Sequence, residues 1–291
     1  MKDLFNLPIK KTFWYQSAYG DAVKMKNWNT SFLDLVNLGS SAAKFGLNYL
    51  DFQINAANWA MQPQSLIYDF AILKHYHPFI KKNGIVLLLL CPFHLLSVAN
   101  VHIDRYHYFL PPHLVKNFHK KTLKRITKNI ENPLLGAPKT AMKAFIRMML
   151  GKDQPKSQNA KIAASKWIAG WKKQFFINDF TDPLSEENLK GMAFKIDLLC
   201  EMANFCKEHS LQPVFGIMPA SKTLKEQIPE DFMQRAFYNA VEKVKKRAGL
   251  QFLDYYRSPE FESDELYLDS FLMNEKGAKM FTKRVLTDLD L

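Results

Sequence analysis

The sequence predicts an α/β protein: a doubly wound, mostly parallel sheet of about five strands, carrying a basic, mainly helical insertion. Three observations predict it. Short apolar runs alternate with longer helix-periodic segments in the order β, α, β, α, β, the pattern of parallel strands joined by crossover helices. The run Ile85 to Phe93 is apolar without alternation, as a central strand buried on both faces requires. Between residues 94 and 183 that regularity lapses, and 16 Lys or Arg stand against 5 Asp or Glu, +11 of the formal net charge of +12. The expectation is one domain over residues 1–291, with 94–183 inserted within it.

Taken in order, residues 1–30 hold Trp14, Tyr15, Tyr19 and Trp28 with little periodicity and read as an arm packed on the core. Leu33 to Leu38 is a first strand, ending at Gly39-Ser40-Ser41. Asp51 to Asn58 is a second strand candidate. After Gln62-Pro63, residues Gln64 to Lys82 place Leu66, Phe70, Leu73, Tyr76, Phe79 and Ile80 at helical spacing, with Gly84 as the stop. Ile85 to Phe93 is the third strand. In the insertion, the aromatic run Asp104 to Pro112 breaks at a proline pair, and helices are predicted at 113–130, 138–150 and 158–174. The second puts Met142, Phe145, Ile146 and Met149 on one face with Lys139, Lys143 and Arg147 beside it. Such a helix either packs its apolar face on the domain or lies on an anionic membrane surface. Ser185 followed by Glu186 and Glu187 opens a helix that runs to about His209. Gln212 to Met218 is a fourth strand, Asp231 to Ala248 a helix stopped by Gly249, Leu250 to Tyr255 a fifth strand, and Asn274 caps a last helix reaching about Leu286.

Composition narrows the function classes. A chain of 291 residues that is 47% hydrophobic, with aromatics throughout, is long enough for a substantial core and is not disordered. No apolar run approaches the roughly 18 residues of a spanning helix, and the first residues lack a signal-peptide core. The expected location is cytoplasmic, with peripheral contact at the inner face of the membrane through the basic insertion. Cys91, Cys200 and Cys206 form no C-x-x-C pair and sit in apolar segments, as small core residues in a reducing compartment do. No metal site and no cofactor is expected. The concentrated positive charge implies an anionic partner or a solvated basic face. Nucleic acid is not expected, because no nucleic-acid motif accompanies the lysines and arginines.

The chemistry centres on Gly39-Ser40-Ser41. A hydroxyl at the carboxyl end of a parallel strand lies where open α/β sheets bind ligands, and backbone N–H groups freed there suit an oxyanion. The plainer alternative makes Ser40 or Ser41 a helix N-cap. A serine nucleophile needs a base and an orienting acid, which in many hydrolases arrive together on a late loop. The late loop here is Leu268-Asp269-Ser270-Phe271-Leu272-Met273-Asn274-Glu275-Lys276-Gly277-Ala278.

Together, Asn37-Leu38-Gly39-Ser40-Ser41 early and Asp-Ser-x-x-x-Asn-x-x-Gly-Ala before the final helix resemble the SGNH (GDSL-type) hydrolase superfamily. The nearest likeness is to its members found with bacterial surface-polysaccharide genes. Gln64 to Phe70, Lys82 to Val86 and Gly277 to Thr282 extend the likeness over the α/β core, outside the basic insertion. The resemblance implies a flavodoxin-like three-layer α/β/α fold and activity on acylated carbohydrate, with Ser41 as nucleophile and Asp269 as acid. Where the family places its base, this chain has Leu272, which cannot accept a proton. His94, just beyond the third strand, is the candidate substitute; His102 and His107 follow, and Lys44 is a further candidate base. Gly39, Asn58 and Gln64 are candidate oxyanion or substrate contacts.

Two readings stand on the sequence. One is a serine esterase or O-acyltransferase acting on acylated carbohydrate, with a relocated base. The other is an SGNH-like binding protein without catalysis, holding an anionic glycan, a lipid-linked precursor or a partner protein.

Overall fold

The computed structural model describes residues 2–96, 104–153 and 159–291, with side chains from Asn6 onward. The chain divides into two compact units, Ser31–Asn100 with Ser157–Leu291, and Met1–Thr30 with Val101–Lys156.

The first unit is the α/β core. Five strands, β1 (Leu33–Gly39), β2 (Ala56–Asn58), β3 (Ile80–Leu90), β4 (Gln212–Ile217) and β5 (Gln251–Asp254), form one sheet in the order β2-β1-β3-β4-β5. Every pairing is parallel, with Val36 opposite both Ala57 and Val86, Leu88 opposite Phe215, and Phe215 opposite Phe252. This is the flavodoxin-like order. The chain first moves outward from β1 to β2 and then returns past β1 to β3, so right-handed crossovers place helices on both faces. The short helix Ser41–Gly46, which follows β1, packs against the last helix, Glu275–Asp288; Glu186–Glu208 packs against Leu66–Tyr76 and Asn239–Ala248. These two groups of helices and the sheet make the three layers. From Ile85 to Leu90, β3 is buried at every residue, as its unbroken apolar sequence requires.

Local signals set most helix ends. The Ser185 hydroxyl accepts from Asn188 N–H at 3.2 Å, and the Asn274 side chain accepts from Gly277 N–H at 3.0 Å. Gly249 ends Asn239–Ala248 in the left-handed conformation, φ 56°. The last helix is held chiefly by Phe281, which is fully buried against Tyr255 and Phe261 and stabilises the fold by about 2–3 kcal/mol. Its ion pairs, Lys279–Asp51 and Arg284–Asp288, lie near solvent and contribute little.

Three expected elements are revised. The second strand is only Ala56–Asn58, because residues 51–55 turn back on themselves: Phe52 N–H donates to Tyr49 O, and the Asn55 amide donates to Ser31 O and Phe32 O. The helix expected to reach Lys82 ends at Tyr76, since Pro78 offers no N–H to continue its ladder, and His77–Phe79 tighten into a 3-10 turn. Ile80 to Gly84 then join β3 through a bulge. Asn83 there has φ 61°, its N–H donates to Ser210 O at 2.7 Å, and the register with β1 shifts between Leu33 and Leu35. Gly84 is therefore a strand residue and not a helix stop.

Residues 1–30, expected as an arm, are mostly helical and belong to the second unit. There Lys2–Lys10, Phe13–Tyr15 and Asp21–Lys26 share a core with Lys120–Glu131, Pro133–Gly136 and Pro138–Met149. Tyr15 is central: its hydroxyl donates to Ile130 O at 2.8 Å and its ring meets Tyr19 edge-on. Of the helices expected in the insertion, Ala160–Gln174 belongs to the α/β unit. The three cysteines are buried and free. Among the described residues, no helix is long and apolar enough to cross a membrane.

Gly39 is the least replaceable residue of β1. Its φ is 134°, and a Cβ there would stand 2.5 Å from Leu89 O and 2.8 Å from the Ala43 Cβ. We expect Gly39→Ala to lower unfolding free energy by about 2–4 kcal/mol, combining positive-φ strain with overpacking against rigid backbone. Urea denaturation monitored by circular dichroism checks this; a loss below about 0.5 kcal/mol would show that the turn relaxes freely.

Candidate functional site

In a sheet of this order the chain reverses between β1 and β3, and the crevice outside their carboxyl ends is the position where such folds bind ligands. Gly39 and Leu90 end those strands, and residues 40–46 and 91–96 follow them.

The turn is organised by a carboxylate. Asp69, on Leu66–Tyr76, has no solvent exposure; its Oδ1 accepts from Gly39 N–H at 2.8 Å and from the Gln64 amide. Gln64 N–H in turn donates to the Ser40 hydroxyl at 3.1 Å. Ser40, Gln64, Asp69 and Gly39 thus close a ring around the strand end. Ser40 occupies the N-cap position of Ser41–Gly46, but its hydroxyl is turned toward Gln64 and makes no cap bond. Gln64 is committed to the ring through both its backbone and its side chain.

Asn58 braces the other side. Its amide nitrogen donates to the carbonyls of Ala43 at 3.3 Å, Lys44 at 3.1 Å and Leu47 at 2.9 Å, while its oxygen accepts from Asn37 and from Ala60 N–H. Its donors hold the end of the short helix in place of an oxyanion. Asn37, fully buried, also accepts from the Tyr49 hydroxyl at 3.0 Å.

Behind the ring lies a second charge. Lys195, buried on Glu186–Glu208, donates to the carbonyl of His94 at 3.1 Å. Burial pushes the Asp69 carboxyl up to about 7, against the opposing pulls of Gln64, Gly39 N–H and the Lys195 charge. Burial lowers Lys195 to about 8, opposed by Asp69. Burial, reinforced by the Lys195 charge, lowers His94 to about 3. The imidazole of His94 is therefore neutral at physiological pH, and a group of that pKa is far from the range in which general bases work well.

Ser41 opens the short helix with a partly exposed side chain. Among the described residues, no hydrogen bond joins its hydroxyl to a histidine or to Asp269. His107, with its ring stacked on Phe118 and its Nδ1 3.1 Å from Asp104 O, belongs to the second unit; His102 lies outside the described residues.

Asp269 is occupied elsewhere. Its Oδ1 accepts from the N–H groups of Ser270, Phe271 and Leu272 at 2.8, 2.9 and 2.9 Å, and its Oδ2 accepts from the Trp167 indole at 3.1 Å. The late loop is a knot tied on its own aspartate, with Leu272 buried in it. An indole N–H donates to the carboxylate as an imidazole would, but it has no lone pair with which to take a proton.

The turn residues Gly39, Ser40 and Gln64 are thus brought together, whereas Ser41, His94 and Asp269 share no hydrogen bond. Asp69, Lys195 and Trp167 were not singled out on sequence. Two had a signal: Asp69 follows Leu66 by three and precedes Leu73 by four, and Lys195 stands likewise between Met192 and Leu199. A charge on an apolar helical stripe is either paired or shifted in pKa. Trp167 gave none. No family model and no curated protein matches the chain.

The Asp69 shift carries a sign. Between its unfolded value near 3.8 and its folded value near 7, the folded chain keeps a proton that the unfolded chain releases, so stability falls as pH rises across that interval. Relative to Asp69→Asn, the wild type should lose up to about 1.4 kcal/mol for each pH unit between about 4 and 7. Parallel denaturant curves for the two proteins measure it, and a constant difference across that range would remove the titration from Asp69.

Proposed function

We propose that this chain is an SGNH-like α/β protein that does not run a serine triad and instead binds an anionic glycan of the surface-polysaccharide type. The observation that carries the reading is the Asp269 loop. Both carboxylate oxygens are taken, one by three backbone N–H groups and the other by the Trp167 indole, and Leu272 is buried where the resembled family places its base. A triad without its histidine loses several orders of magnitude in rate. His94 does not repair it, because a base near pKa 3 is mismatched to neutral pH. The order of the strand-end serine, the Gln64–Phe70 segment and the final-helix block supports the ancestry, and the net positive charge, all of it carried by residues 1–30 with 101–156, supports an anionic ligand for the chain as a whole.

A fluorophosphonate probe should label the wild type no more than it labels Ser41→Ala. Titration calorimetry should show binding of a polyuronate such as alginate that weakens with salt, and none of neutral dextran. Labelling that depends on Ser41 would instead establish the second reading, a serine esterase or O-acyltransferase, which the part-exposed Ser41 hydroxyl at the strand end favours. That reading also expects Leu272→His with Trp167→Phe, which frees Asp269 Oδ2 for an imidazole, to raise turnover of a small acetyl ester.

A further inference from the structure

The formal charge of the chain belongs to one unit. Met1–Thr30 with Val101–Lys156 holds 17 Lys or Arg against 5 Asp or Glu, a net +12, whereas the α/β unit holds 23 of each. Within the charged unit, the helix Pro138–Met149 is turned the opposite way from an ordinary core helix. Its buried stripe is small, Ala141 and Ala144, and packs against Lys2–Lys10, Phe13–Tyr15 and Pro133–Gly136. Phe145 and Met148 are partly covered, whereas the other large apolar residues face solvent: Met142 is 45% exposed, Ile146 50% and Met149 69%, and Leu150 just beyond is 62% exposed. At spacing i, i+4, i+7 and i+8 these four form one continuous ridge. Lys139, Lys143 and Arg147, at i, i+4 and i+8, run beside it and line a shallow groove with Met142 and Ile146. Neither Lys139 nor Lys143 forms an ion pair among the described residues.

A contiguous exposed aliphatic ridge calls for an apolar partner, and the adjacent cations call for an anionic one. A second copy of the same face would bring the three cations onto their own counterparts, with no acid between them. Nucleic acid meets the cations but offers nothing to Met, Ile and Leu, since strand recognition uses stacking rings and hydrogen bonds. An anionic bilayer satisfies both, with acyl chains beneath and phosphates at the surface. We propose that this face docks on an anionic phospholipid membrane, with Met142, Ile146, Met149 and Leu150 at the headgroup–acyl boundary and Lys139, Lys143 and Arg147 on lipid phosphates. This docking does not rest on the binding of a glycan anywhere in the chain, and its test contains none.

The test is co-sedimentation of the full chain with phosphatidylcholine vesicles, with and without phosphatidylglycerol as a third of the lipid. Binding should be at least about tenfold tighter with the anionic lipid and should weaken with salt. Ile146→Glu with Met149→Glu should lose at least about tenfold of it, and the milder pair Ile146→Ser with Met149→Ser should lose part. Lys139→Glu with Lys143→Glu should abolish the preference for anionic lipid. Unchanged thermal unfolding by circular dichroism establishes that each variant is folded, as substitution of exposed side chains predicts. Equal binding by the wild type and the glutamate pair overturns the proposal, as does binding indifferent to lipid charge. Self-association in sedimentation velocity that Ile146→Glu with Met149→Glu abolishes would assign the face to a second copy, and that also overturns it.

Discussion

The strand-end turn depends on one buried carboxylate. Asp69 has no access to water, yet it holds the Gly39 N–H and the Gln64 amide, and through Gln64 the Ser40 hydroxyl. An ionised carboxylate in an apolar interior is costly unless it is paired and hydrogen-bonded. Two donors and the Lys195 charge offset only part of that cost, which is why its pKa rises in spite of them. The polar centre thereby fixes the end of β1 against Leu66–Tyr76 and, by Lys195, Glu186–Glu208 against the residues after β3. Two buried side chains, Asp69 and Lys195, thus tie together segments distant in sequence.

The same logic separates the two halves of the resemblance. At the early block, the conformation that the turn needs is built: a glycine at φ 134° with no room for a Cβ, followed by a serine held by its neighbours. At the late block, the aspartate is present but its hydrogen-bonding capacity is spent on its own loop and on an indole. Of the features that the resemblance implies, the strand-end turn is built, and a hydrogen-bonded path from Asp269 to a base is not. A side chain can keep its place in a motif while its donors and acceptors are redirected by a residue from an unrelated segment, here Trp167.

Charge is partitioned as sharply as chemistry. The α/β unit is formally neutral and owes its cohesion to the apolar β3 and to aromatic contacts such as Phe93 on Trp171 and Phe281 between Tyr255 and Phe261. The second unit carries the positive field and buries only alanines fully along Pro138–Met149, leaving Met142, Ile146 and Met149 exposed. Leaving Met, Ile and Leu half-exposed forgoes about half of the roughly 1.5–3 kcal/mol that full burial of each gives, a cost consistent with selection for contact with something else.

Sequence alone determined what depends on near neighbours. The apolar runs of β1 and β3, the caps at Ser185 and Asn274, the left-handed stop at Gly249 and the α/β order all follow from side chains within a turn or a strand of one another. Where a local rule failed, a proline or a distant partner overrode periodicity: Pro78 ended a helix early, and the pairing of Ile80 and Ile85 with β1 drew Lys81 to Gly84 into β3 as a bulge. Tertiary structure alone decided the rest, because the deciding bonds span the chain. Asp69 meets Gly39 across 30 residues, Lys195 meets His94 across 101, and Trp167 meets Asp269 across 102. Which face of Pro138–Met149 turns outward was open for the same reason. The helix has two faces able to pack, one small and one large, and only the surfaces of its neighbours chose between them.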